Sequence, residues 1–246
     1  MSETLDKPAL NIVGTRPIRP DGADKVTGRA AYGADHSMPG QLVGKILRSP
    51  HAHARIVSID TSKARAVPGV KAIITASDFP DLASEVLEGG EQASNLRDLS
   101  LNVMARDKAL YHGHAVAAVA AASSEAADEA LARIKVTYEV LPHVLDVEPA
   151  MAADAPLLHA HLFTEGLEAK ATAPSNIAKR HRNVRGDPEG AFAAAEVTVE
   201  GRYTTQAVHQ GYIEPHATVA AWAEDGRCEV WSSSQGQFMA RTYCAR

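Results

Sequence analysis

Three histidine pairs with a single intervening residue stand out among the groups that could do chemistry: His51 and His53, His112 and His114, His159 and His161. On a strand this spacing sets both rings on one face, as a metal site requires, but a catalytic metal also wants a third ligand and none is marked. No metal ligand is therefore assigned. His51 follows Ser49-Pro50 and His112 precedes Gly113, places where an imidazole more often hydrogen-bonds backbone groups at a strand end. Glu214, within Tyr212-Ile-Glu-Pro-His216, is a carboxylate in partly apolar, strand-like sequence. It is either buried with a raised pKa or paired with a neighbour, and pairing is the safer reading. Gln235 falls where a strand ends and a helix begins, a position from which a side-chain amide can reach a crevice beyond the strand ends. Composition alone makes it a capping residue. The sequence has no G-x-S-x-G, P-loop, G-x-G-x-x-G or H-E-x-x-H, which removes most hydrolase, NTPase and nicotinamide chemistries.

The bulk composition narrows the classes further. With 246 residues, 45% of them hydrophobic, the chain can build one large domain or two ordinary ones. A formal charge of -5 gives no general electrostatic case for nucleic acid. Glu3 and Asp6 stand where a signal peptide would be basic and then apolar, and no run approaches the length of a membrane span, so a soluble cytoplasmic protein is expected. Two cysteines, Cys228 and Cys244, cannot supply a disulfide framework, a zinc ribbon or an iron–sulfur ligand set. Any redox cofactor must be organic or shared.

The elements that position these groups are legible as period changes. Residues 1–22 read as an extended arm, and the Pro- and Gly-rich character continues to about residue 40. Strands are expected over Gln41–Arg48, Arg55–Ile59 and Val70–Thr75, with a short helix over Ser62–Ala66 that Asp60 or Thr61 caps and Pro68-Gly69 ends. A second strand–helix–strand run follows: the small apolar stretch His114–Ala122, a helix whose stripe is Ala127, Ala130, Leu131 and Ile134, and a strand over Lys135–Val140. Both runs read as βαβ units of one domain spanning 23–148. Residues 149–187 lose periodicity and form a crossover carrying the basic cluster Lys179, Arg180, His181, Arg182 and Arg185, which reads more readily as a solvated loop than as a specific anion site. In the last domain, 188–246, a short helix is expected over Gly190–Glu196. Strands follow over Val197–Tyr203, Ala217–Ala223 and Arg227–Ser233, the last two joined by an Asp225-Gly226 hairpin, and then a helix from Phe238.

The ordered strings are more specific than the periodicity. Asp24-Lys-Val-Thr-Gly-Arg-Ala30, Arg48-Ser-Pro-His-Ala-His-Ala-Arg-Ile56, Tyr111-His-Gly-His-Ala-Val116, Val136-Thr-Tyr-Glu139 and Asp154-Ala-Pro-Leu-Leu-His159 resemble the opening hammerhead domain of the xanthine dehydrogenase, aldehyde oxidase and carbon monoxide dehydrogenase family. Gln210-Gly-Tyr-Ile-Glu-Pro-His-Ala217 and Trp231-Ser-Ser-Ser-Gln235 resemble the start of its molybdopterin-binding domain. The resemblance implies an α+β architecture: a hammerhead α/β domain followed by an incomplete mixed α/β molybdopterin-binding domain. It implies a molybdenum hydroxylase that oxidises an aldehyde or N-heterocycle with oxygen from water. The cofactor would be molybdenum-molybdopterin, in the cytosine dinucleotide form, with [2Fe–2S] clusters and FAD on partner subunits. It also implies that Gln235 hydrogen-bonds an oxo ligand of molybdenum, with Gln235 and Gly236 binding the cofactor.

Because the sequence stops at Arg246, before the family's later glycine-rich stretches and its near-C-terminal glutamate, the expectation is that this polypeptide alone is inactive. Another chain would carry the rest of the molybdopterin domain, unless the sequence is truncated relative to its family. The rival reading is a non-catalytic assembly scaffold that keeps the hammerhead fold and grips partner subunits without serving the metal.

Overall fold

The computed structural model describes residues 10–89 and 92–245, so the first nine residues of the arm lie outside the described residues. In chain order the elements are α1 (Gly22–Thr27), β1 (Val43–Arg48), β2 (Ala54–Asp60), α2 (Ser62–Arg65), β3 (Val70–Thr75), β4 (Val86–Gly89), β5 (Gln92–Asn95), α3 (Leu96–Val103), β6 (Lys108–Ala109), β7 (Ala115–Ala121), α4 (Ser124–Arg133), β8 (Lys135–Val140), α5 (Val147–Ala150), α6 (Pro188–Ala194), β9 (Thr218–Trp222), β10 (Cys228–Ser232) and α7 (Gln237–Cys244). They fall into two compact units: residues up to Pro39 with His209–Ala240, and Gly40–Val208 with the residues from Arg241 onward.

The larger unit is built on two three-stranded sheets ordered β1-β7-β3 and β6-β2-β8, in which every pairing is antiparallel. This corrects the expected βαβ units. β2 and β3 lie in different sheets, as do β7 and β8, so each helix hands the chain from one sheet to the other. The reason is reach: α2 is a single turn, and returning to a parallel neighbour in the same sheet takes a dozen residues or more. The two runs instead pair head to tail, β2 with β8 and β3 with β7.

The core lies where α2 and α4 cover the β1-β7-β3 sheet. Ala64 and Val67 meet Ile73, Ala117, Val119 and Ala121 from the strands, and Ala127, Ala130 and Ile134 close it from α4. Small residues let the helices come close. Gly69 turns out of α2 at φ 91°, and a Cβ there would sit 3.4 Å from the Ala126 methyl. Ser123 caps α4 by accepting the Ala126 N–H at 3.2 Å, and Asp60 rather than Thr61 caps α2, accepting from Ser62 N at 2.9 Å. The Glu129–Arg133 and Lys45–Asp128 ion pairs, both 2.5 Å, lie at the surface and add little to stability.

Beyond β8 the crossover has no strand or longer helix until α6, yet Asn176 pins it. Its Oδ1 accepts from Leu158 N at 3.1 Å while its Nδ2 donates to Ala150 O and Pro156 O. α6 begins on Pro188 with Asp187 accepting from Gly190 N at 3.0 Å. The strand expected over Val197–Tyr203 does not form: Val197, Val199 and Tyr203 are 79%, 89% and 93% exposed, and no other described segment runs alongside to complete a ladder. Conversely, α1 appears inside a region read as extended. The missed signal is Gly28, whose φ of 73° ends the helix while its N–H returns to Asp24 O and Lys25 O.

A candidate cofactor site at the strand–helix turn of Gln235

The second unit is organised by the β9–β10 hairpin. Gly226 takes φ 86° in the turn, and Asp225 fixes it by accepting Arg227 N at 3.1 Å and pairing with the Arg227 guanidinium at 2.7 Å. The ladder runs from Cys228 opposite Trp222 to Ser232 opposite Thr218, whose hydroxyls meet at 2.8 Å. One further bond, Ser233 N to Ala217 O at 3.2 Å, extends the pairing past the end of the strand. Gln235 follows, exposed, in the short turn before α7. Ser234 Oγ accepts the Gly236 N–H at 3.1 Å, and the Gly236 carbonyl takes the first helical bond from Ala240 at 2.9 Å.

Glu214 stands beside this turn as an exposed, paired carboxylate: its Oε1 accepts the Ser233 hydroxyl at 3.1 Å. Along the same segment the Tyr212 ring stacks on His216 at 4.5 Å and meets His209 at a tilt at 4.9 Å. Two supports escaped the sequence reading because they are contacts distant along the chain. Gly33 is buried so close to the hairpin that a Cβ would lie 2.8 Å from Ala217 O, and His36 stacks on Trp231 at 5.4 Å. Gly236 is different. A Cβ there would meet nothing nearer than Met239 at 3.9 Å, so its bare backbone is open to approach from outside.

The histidine pairs serve the fold of the larger unit. His53 Nδ1 donates to Pro142 O at 2.9 Å, joining the start of β2 to the end of β8. His114 is fully buried, stacked on Tyr111 at 4.4 Å, with Nδ1 accepting from Leu110 N at 3.1 Å. Its proton is thus on Nε2, which is buried without a hydrogen-bond partner, and burial holds its pKa below the ordinary value. His161 Nε2 lies 2.9 Å from Asp98 Oδ1, and burial with the neighbouring His161 charge lowers His159. Among the described residues no group of three or more His, Cys, Asp or Glu could hold a metal ion. No described helix is long and apolar enough to cross a membrane.

Residues 27–142 match the sequence model of the aldehyde oxidase and xanthine dehydrogenase a/b hammerhead domain, and residues 169–246 match the molybdopterin cofactor-binding domain. This chain belongs to that family. It is 37% identical over 244 residues to the carbon monoxide dehydrogenase large chain of Afipia carboxidovorans, which covers 95% of this chain and 28% of that protein. To the nicotinate dehydrogenase large molybdopterin subunit of Eubacterium barkeri it is 31% identical, over 91% of this chain and 48% of the relative. Among solved structures, quinoline 2-oxidoreductase from Pseudomonas putida 86 superposes with a TM-score of 0.72 at 30% identity, covering 94% of this chain and 28% of that one. The chain thus spans between about a quarter and a half of the length of these relatives. The two sheets with their crossing helices lie within the hammerhead match, and the hairpin, Gln235 and α7 within the cofactor-binding match.

Proposed function

We propose that this chain forms part of the molybdopterin-binding subunit of a molybdenum hydroxylase that oxidises an aldehyde or N-heterocycle, with water as oxygen source. Electrons would leave to [2Fe–2S] clusters and FAD on an iron–sulfur subunit and an FAD subunit. The observation that carries this reading is the exposed Gln235 amide at a strand–helix turn, beside the open backbone of Gly236, inside the segment matching a molybdopterin cofactor-binding domain. Nicotinate and quinoline in the relatives' names support the heterocycle side of the substrate class.

The residues present fit such a group. Bound molybdopterin, in its cytosine dinucleotide form, supplies a metal that makes water nucleophilic near neutral pH and takes up an electron pair. Gln235 would offer its amide N–H to the bound cofactor, and such a donor strengthens where negative charge develops toward the transition state. Gly236 has its own N–H engaged by Ser234, so its part is to present backbone without a side chain. The Ser233–Glu214 bond and the Gly33 contact hold the turn in place. Since the chain spans 28% of the carbon monoxide dehydrogenase large chain, the remaining cofactor contacts are assigned to further molybdopterin-domain sequence, and the 246 residues alone should carry no molybdenum.

The test is metal analysis and isotope tracing on the intact assembly that contains this sequence. Stoichiometric molybdenum, with product oxygen drawn from labelled water, is the expected result. An intact assembly without molybdenum, or product oxygen drawn from dioxygen, would overturn the reading.

A further inference from the structure

Residues 169–186 hold five of the chain's 25 Lys and Arg residues and none of its 30 Asp and Glu residues, a local excess hidden by the net charge of -5. Here the structure builds a specific shape. Two extended segments lie side by side: Ser175 N donates to Leu162 O at 3.0 Å, Thr164 Oγ1 to Ile177 O at 2.8 Å, Glu165 N to Ala178 O at 2.9 Å and Arg180 N to Glu165 O at 2.8 Å. At Gly166, φ 73°, the segments cross so closely that a Cβ would lie 2.0 Å from Arg180 O, which no side chain permits.

Beyond that crossing the segments part around an open groove of about 630 Å³, with Leu167 and Glu168 on one wall and Lys179, Arg180, Arg182 and Val184 on the other. The cations are exposed, and among the described residues Lys179, Arg180, Arg182 and Arg185 form no ion pair. Residues 181–185 belong to no described strand or helix, so the cations sit on an exposed loop.

We propose that this groove docks an acidic segment of a partner polypeptide, whose carboxylates meet Lys179, Arg180 and Arg182. Charge pairing would give the affinity, and the single carboxylate of Glu168 part of the selectivity. Glu168 disfavours a ligand that is anionic throughout, whereas a segment with alternating charge can set an apolar residue against it and Leu167. Among the lining residues His181 is the only ring, short of the successive aromatic platforms on which single-stranded nucleic acid stacks. The proposal goes beyond the cofactor role of Gln235 and does not depend on it.

The test is fluorescence anisotropy of the 246-residue chain with a short labelled peptide in which Glu alternates with Val. Saturable binding should weaken as salt rises and fall by roughly tenfold or more in the double variant Lys179→Glu, Arg182→Glu. Both substitutions are at exposed positions, and circular dichroism checks that the fold is kept. Inorganic tripolyphosphate and oligo(dT) should displace the peptide only poorly. No saturable binding at low salt, full binding by the double variant, or displacement by either competitor more readily than by unlabelled peptide would each overturn the proposal.

Discussion

Ala115–Ala121 and Val197–Tyr203 read alike as strands, yet the first is the buried centre of a sheet and the second an exposed, extended stretch. Both have the side-chain pattern; only one has neighbours. β7 is flanked by β1 and β3, so that Val119 faces Lys45 on one side and Ile73 on the other, and its small side chains let α4 close over it. Val197 and Val199 have no ladder partner among the described residues. Pattern says that a segment could pair, and a strand exists only where something supplies the other half of the hydrogen bonds.

A charge placed in each segment should separate the two most strongly. Val119→Asp would bury an uncompensated carboxylate in the β7 core, costing on the order of 3 to 5 kcal/mol, whereas Val199→Asp should stay within about 0.5 kcal/mol of wild type. Urea titration of both variants measures this. Comparable losses would mean that 197–203 is packed after all.

A smaller effect should come from pH. His114 packs under α3 next to β7 and is held neutral by burial, with a folded pKa below the ordinary 6.5. Between those two values the unfolded chain binds the proton and the native chain does not, so stability rises with pH there. It is fully present above about 6.5 and declines as pH falls toward the folded value. His159, lowered for similar reasons, adds in the same sense. Urea midpoints from pH 7.5 down to 5.5 should therefore fall. A flat profile, or a histidine resonance of His114 titrating at its ordinary pKa, would show that the ring is not held neutral.

The mildest contrast is local opening. Trypsin should cut first between Lys179 and Arg185, where the cations are exposed and the chain has left its Asn176 anchor. First cuts within β7 to β8 would reverse the order of stability described above.

What the sequence made legible was local. Ser123 with the Ala127, Ala130 and Ile134 stripe marked α4, and Asp225-Gly226 marked the hairpin, because caps and turns are written in adjacent residues. The exchange of strands between two sheets was not legible, since β2–β8 and β3–β7 pairing is decided by distant packing. Gln235 was placed correctly at a strand–helix junction by the same local logic. The contacts that support the hairpin were not, because Gly33 against Ala217 and His36 on Trp231 join segments nearly two hundred residues apart. The Val197–Tyr203 expectation failed for the converse reason: a good pattern carries no information about its partner.

The proposed role of Gln235 is tested most directly by steady-state kinetics of Gln235→Ala in the complete assembly, normalised to bound molybdenum. A donor that strengthens in the transition state is worth on the order of 3 kcal/mol, so turnover per molybdenum should fall roughly a hundredfold. KM should change little, and Gln237→Ala, at the first residue of α7, should do less. Equal turnover per molybdenum for wild type and Gln235→Ala would contradict the account and favour a scaffold that holds partner subunits without touching the chemistry.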